Sequence, residues 1–282
     1  MSVFRKAGNT LLQRSLLIAS GRDHISRFAA ASSSRIHAYC VLPSSGICHL
    51  TRFYSSSRKL YSATDGNETE SGWTSLEHLT AAAAMGNVKA QSNLGTLYYT
   101  GTEVEQNTDL ALKYLGLAAE QGDGPAAYGI GYHYMKIDLY EEALKYFELG
   151  SSNNDAQCQH TLGGYYQTGK VVKMDLQKAF QCFMEAASQR YSDAEVSVGS
   201  AYVNGDGVDK DESLAFEYLT RASENNNARG SFLLGTCYSG GIGVSVSDSD
   251  AFRCYKMAAD QGHAMAQYSV GACYGHGKGI AV

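Results

Sequence analysis

Two things are scarce in this 282-residue sequence: proline, with 2 residues, and long apolar runs, none of which reaches 18 consecutive residues. The second scarcity excludes a membrane-spanning helix of ordinary length. The first, beside 30 glycines, suits helices interrupted by short turns. Acid is nearly missing from residues 1–59. There Asp23 stands alone against Arg5, Lys6, Arg14, Arg22, Arg27, Arg35, Arg52, Arg58 and Lys59. The rest of the chain therefore holds 14 of the 23 basic and 27 of the 28 acidic residues, a net charge of −13. A body of that sign repels phosphate backbones, which argues against nucleic-acid binding. There is no Cys-x-x-Cys or His-x-x-x-His pair, and Cys273-x-x-His276 and Cys158/His160 do not make a four-ligand zinc set. No Ser/His/Asp or paired-carboxylate arrangement suggests an enzyme, and no cofactor or small-molecule substrate is expected.

What is present divides the chain in two. Residues 1–58 are rich in arginine and serine, the composition of an organellar transit peptide. Arg5, Lys6 and Arg14 alternate with Val3, Phe4, Leu11, Leu12, Leu16, Leu17 and Ile18, a basic amphipathic pattern. The stretch Arg52-Phe53-Tyr54-Ser55-Ser56 resembles a mitochondrial processing site. Expected from this are a transit peptide at 1–54, a linker at 55–73, and a mitochondrial location with the matrix favoured over the intermembrane space. The runner-up reading is a basic tail without an address.

The remainder repeats. Glycines stand at Gly95, Gly131, Gly163, Gly199, Gly235 and Gly271, separated by 36, 32, 36, 36 and 36 residues, and each is followed three positions later by a tyrosine, at 98, 134, 166, 202, 238 and 274. A further glycine follows six positions on in all but the second unit, at 101, 169, 205, 241 and 277. Later in the unit come Ala111-Leu112, Ala179-Phe180, Ala215-Phe216 and Ala251-Phe252, and then the pairs Ala118-Ala119, Ala186-Ala187 and Ala258-Ala259. A fixed stride of this length marks stacked helical units. In each, helix A carries its core residues at i, i+4 and i+8 (Ala90, Leu94, Tyr98) and helix B does the same (Ala111, Leu115, Ala119). Small residues at the crossings let the axes approach, and the tyrosine fills the wedge between units. Unit two, four residues shorter and without its turn glycine, calls for a tighter turn near Ile137-Asp138-Leu139. The strings Gly240-Gly241-Ile242-Gly243-Val244 and Gly275-His276-Gly277-Lys278-Gly279 look like phosphate loops but recur with the helical repeat, so they are turns.

These residues, with "Ala90…Leu94-Gly95-Thr96-Leu97-Tyr98…Gly101" and "Val198-Gly199-Ser200-Ala201-Tyr202-Val203-Asn204-Gly205-Asp206-Gly207-Val208", resemble the Sel-1-like branch of the tetratricopeptide-like repeats across residues 74–282. The resemblance implies an all-α, right-handed solenoid of helix-turn-helix repeats, used as a protein-binding adaptor or scaffold with no catalytic residue. The array reads as five full helix pairs with a half-unit at each end. Thr74-Ser75-Leu76-Glu77 fits a capping box opening the first half-unit. The last half-unit stops at Val282 after a helix A, so either the polypeptide continues or another surface covers that helix. Residues that vary between units on the helix A side, Gln91, Asn93, Gln159 and Glu195, are the candidate partner contacts. Function is then expected to be a mitochondrial scaffold for other proteins, assisting a respiratory or other complex; the alternative is a permanent subunit of such a complex. Cys158, Cys182, Cys237, Cys254 and Cys273 read as small core residues, with intermembrane-space disulfides as the rival reading.

Overall fold

The computed structural model describes residues 75–279; the proposed transit peptide and linker, Thr74, and the last three residues lie outside them. The described residues form twelve α-helices and no strand. A single helix, α1 (Leu76–Ala84), is followed by five antiparallel hairpins: α2–α3 (Val88–Thr100, Thr108–Glu120), α4–α5 (Gly124–Lys136, Tyr140–Ser152), α6–α7 (Ala156–Thr168, Leu176–Ser188), α8–α9 (Ser192–Asn204, Glu212–Glu224) and α10–α11 (Ala228–Gly240, Asp248–Asp260). A last helix, α12 (Ala264–His276), ends the series. Each helix packs on the next in sequence, the all-helical repeat architecture expected.

Helix starts are set by side chains. Asn87, Asn107, Asp123, Asp155, Asp175, Asp211 and Asn227 each accept a hydrogen bond from the N–H three residues on, meeting a donor that the helix itself cannot. At α1 the cap is Ser75, bonded by the His78 N–H, so the N-cap sits one residue later than the Thr74–Glu77 pair suggested. The A-to-B turns close on the repeat tyrosines, whose carbonyls accept from the residue before helix B: Asn107 on Tyr98, Asp175 on Tyr166, Asp211 on Tyr202 and Ser247 on Tyr238, at 2.9–3.1 Å. Unit two does without this loop. Its three-residue turn puts Asp138 in the left-handed region at φ 61°, and Leu139, at the N-cap position of α5, gives no side-chain cap.

The repeat glycines are notches. A Cβ on Gly163 would stand 2.5 Å from the Phe183 ring, and the same test brings Gly95 to 2.8 Å from Leu115, Gly131 to 2.7 Å from Phe147, Gly199 to 2.8 Å from Leu219 and Gly235 to 2.7 Å from Tyr255. So each hairpin is closed by one large B-helix side chain laid over a missing Cβ. Phe147, Leu219 and Phe183 are buried as a result. The tyrosines do two jobs. Tyr98–Tyr114, Tyr134–Tyr146 and Tyr202–Tyr218 stack within hairpins at 5.7–6.0 Å, and Phe180–Tyr202, Phe216–Tyr238 and Phe252–Tyr274 meet edge-on between units at 5.4 Å.

A second glycine latches neighbouring units. A Cβ on Gly243 would drive into the carbonyl oxygen of Glu212, the first residue of α9; Gly207 and Gly279 make the same approach to Leu176 and Asp248. Hairpin α6–α7 has no such glycine in its turn. There Lys170 sits 3.5 Å over the Tyr140 ring, and Val171 and Val172 pack against the core around Phe147.

Candidate functional site

Three of the four residues expected at a partner surface are inside. Gln91, Gln159 and Glu195 are the fourth residues of α2, α6 and α8, and are 4%, 3% and 0% exposed. Each reaches the residue that ends helix B of its own hairpin. Gln91 Oε1 accepts from Gln121 Nε2 at 2.7 Å, Gln159 Oε1 from Gln189 Nε2 at 2.8 Å, and Glu195 Oε2 from Asn225 Nδ2 at 3.1 Å. The remaining polar atoms are occupied as well: Gln91 Nε2 donates to the Ala83 carbonyl, Gln159 Nε2 to Asn154, and Glu195 Oε1 takes the Arg221 guanidinium at 2.8 Å. These side chains are clamps holding the far end of helix B to the start of helix A. A buried amide or carboxylate is tolerated because its polar atoms are partnered, for Glu195 within its own hairpin and for Gln91 and Gln159 also by the preceding unit. Asn93, the fourth candidate, is half-buried on α2. Variation between units, which suggested binding, here reflects different ways of satisfying one buried position.

Hairpin α4–α5 breaks the rule informatively. Ala127 stands where Gln91 and Gln159 stand, and the Nδ2 of Asn153, which occupies the slot of Gln121 and Gln189, is buried without a partner. Among the described residues, the Tyr165 hydroxyl is the other buried side-chain N or O atom left unpaired.

The A helices form the more compressed layer: α4 touches α6 and α8 touches α10, in addition to their own B helices. At α8 the squeeze is complete. Every residue from Ala194 to Ala201 is buried, so the middle of this layer is filled by protein. His160 Nε2 lies 3.1 Å from Ser197 Oγ, a spacing that would interest a search for hydrolases. Ser197 Oγ also reaches the Asp193 carbonyl at 3.1 Å, a back-bond to the preceding helical turn that competes with His160 for the one hydroxyl proton. Asp193 is in turn held by Asn227 Nδ2 at 2.7 Å. In the shallow depression beside Tyr166, the Asp175 carboxylate is spent on capping α7.

The five described cysteines carry free thiols. Cys158, Cys237 and Cys254 are buried, Cys182 and Cys273 half-buried. Burial pushes the Cys182 thiol up to about 11 and that of Cys237 to about 12, and raises Cys158 further with the help of the Asp155 carboxylate. Such thiols are poor nucleophiles at neutral pH. Among the described residues no group of three or more His, Cys, Asp or Glu could hold a metal ion, and no helix is long and apolar enough to cross a membrane.

Charge separates by layer. The A helices carry only Asp193 and Glu195 against Lys89, Lys136 and Arg229, whereas the B helices, α1 included, carry thirteen acidic and six basic residues.

The model of the Sel1 repeat family matches residues 88–123, 124–155, 156–191, 192–227, 228–263 and 264–282, and the chain belongs to that family. Each matched segment opens on an A helix. Among curated proteins, a putative sel1-like repeat-containing protein of Acanthamoeba polyphaga mimivirus is 29% identical over 105 residues, covering 36% of this chain and 19% of its own. A chitin synthase regulator of Saccharomyces cerevisiae is 29% identical over 119 residues, covering 40% and 17%. The chain thus matches under a fifth of the length of either. Among solved structures, a protective antigen of uropathogenic Escherichia coli with an SLR fold superposes with a TM-score of 0.68 at 32% identity over 74% of this chain and 45% of the antigen. A Sel1 repeat protein of Oxalobacter formigenes gives 0.67 at 25% identity over 80% and 87%. Sel1-repeat proteins are generally protein-interaction scaffolds, and the fold is typically non-enzymatic.

Proposed function

We propose that this chain is a non-enzymatic scaffold that holds other proteins inside mitochondria, in the matrix, where it assists the assembly or regulation of a multiprotein complex. One observation carries the scaffold reading: the stack spends its polar and nucleophilic groups on itself. Glu195, Gln91, Gln159, His160, Ser197 and Asp193 are all engaged within the array, and the thiols are held protonated. What such a molecule offers a partner is relief and charge. With α8 enclosed, the inner layer has no room at its centre, and the acidic B layer is the broader polar surface. A partner with a basic face would be steered to it, with a salt-dependent association rate. The mitochondrial part rests on residues 1–59, with nine basic residues and one acid.

Two experiments test the reading. Affinity purification of the full chain from isolated mitochondria should recover several substoichiometric proteins whose yield falls with added salt; a single stoichiometric complex would instead favour a permanent subunit, and an empty eluate would count against both. Import of the full chain into mitochondria should yield a product shortened near residue 54 that resists protease; an unprocessed, protease-sensitive chain would end the mitochondrial assignment.

A further inference from the structure

We propose that the docking of α12 onto the rest of the array is controlled by a single proton, because its helix cap is an imidazole that works only in the neutral form. The other side-chain-capped A helices begin with Asn87, Asp123, Asp155 and Asn227, none of which changes charge near neutrality. At α12 the acceptor is His263 Nδ1, 3.2 Å from the Ala266 N–H. The ring is wedged against α10, stacked on Phe232 with centroids 4.8 Å apart and planes 26° from parallel.

Protonation undoes this arrangement in several ways at once. Nδ1 gains a hydrogen that points at the Ala266 N–H, so the cap bond is lost. A positive charge appears at a helix N-terminus, the end that favours anions. The new charge sits in a half-buried place beside Arg229 of α10, and both circumstances hold the imidazole below its ordinary range. Of the neighbouring elements, α11 supplies Tyr255, in contact with Phe232, and carries Asp260 three residues before His263 in sequence, while α12 itself has no Asp, Glu, Lys or Arg. The sign follows from the lowered value. The docked state binds the proton less readily than the undocked one, so docking is at full strength above about 6.5, weakens as the pH falls below it, and is weakest once the pH has passed the lowered value.

Beyond the cap, α12 is held by its packing on α11, by the edge contact of Tyr274 with Phe252 and by the close approach of Gly279 to Asp248. Ala266 is its one buried residue, Met265, Tyr268 and Tyr274 are 60%, 75% and 60% exposed, and a Cβ on Gly271 would meet nothing within 4 Å.

Amide exchange on the full chain tests this. Rates at pH 7.5 and 5.5, corrected for intrinsic pH dependence, are compared for Ala266 and the following α12 amides, with Gly230 on the Asn227-capped α10 as the internal reference. Protection of α12 should fall about fivefold on acidification, the loss of one cap, while Gly230 holds. His263→Asn should keep α12 slow at both pH values, and His263→Ala should leave it fast at both. An acid response that survives in His263→Asn or His263→Ala, a wild-type chain without one, or a His263→Asn chain that is fast throughout would each overturn the proposal.

Discussion

Tyr165 and Glu195 mark the two ways a polar group can be buried. The Tyr165 hydroxyl has no partner, and burial, with Tyr140 nearby, pushes it up to about 12. Its desolvation is uncompensated, so Tyr165→Phe should stabilise the chain by about 1 kcal/mol, read as a rise in the urea midpoint without a change in slope. Glu195 is fully buried but paired with Arg221 and Asn225. Glu195→Ala strands those groups and should cost about 2 kcal/mol, kept low because Arg221 can turn to water; Glu195→Gln, which keeps an acceptor for Asn225, should cost less. Thiol labelling is the third check at this scale. Alkylation at pH 8 should be slow in the folded chain, slowest for Cys158, and rapid for all five described cysteines in urea. Fast labelling of Cys158 in the folded state would contradict its burial on α6 against Gly124 of α4 and Gly150 of α5.

At the scale of elements, glycine is either a structural necessity or an accident of composition, and position decides which. Gly243 sits at φ 68° with the Glu212 carbonyl where a Cβ would go. Gly243→Ala should therefore destabilise by about 2 kcal/mol or more. Gly164, inside α6, has nothing within 4 Å of its missing Cβ, so Gly164→Ala should stabilise by about 0.5–1 kcal/mol. Equal effects of the two substitutions in thermal melts would refute the latch. The periodic glycines were visible in the sequence, and so was their helical context. Their two distinct uses, notch at Gly163 and latch at Gly243, were not, because each depends on what lies across a gap of about twenty to thirty residues. The candidate contacts failed for a related reason. Gln91, Gln159 and Glu195 are hydrophilic and vary between units, as binding residues do; only their partners at Gln121, Gln189 and Asn225 reveal an internal role.

Across the whole array, each hairpin leans on its neighbours, so damage should stay local. Phe183→Ala opens the notch at Gly163 and should cost about 3–4 kcal/mol there. Amide exchange should rise through α6, α7 and the start of α8 while the amides of α2 keep their protection. A uniform rise from α1 to α12 would mean that the array unfolds as one unit instead.

The sequence alone determined the helical class, the stride of 36 residues with one of 32, the tight turn at unit two and the tyrosine ladder. All of these follow from local spacing, where one residue's neighbours along the helix are known from its number. The tertiary structure decided which side chains face solvent. It turned Gln91, Gln159 and Glu195 inward, enclosed α8, and gave α12 a histidine cap seated on Phe232. Those outcomes depend on how closely adjacent hairpins nest, a matter of a few ångströms set by side-chain volume across the interface, and such distances are not written in the order of residues along the chain.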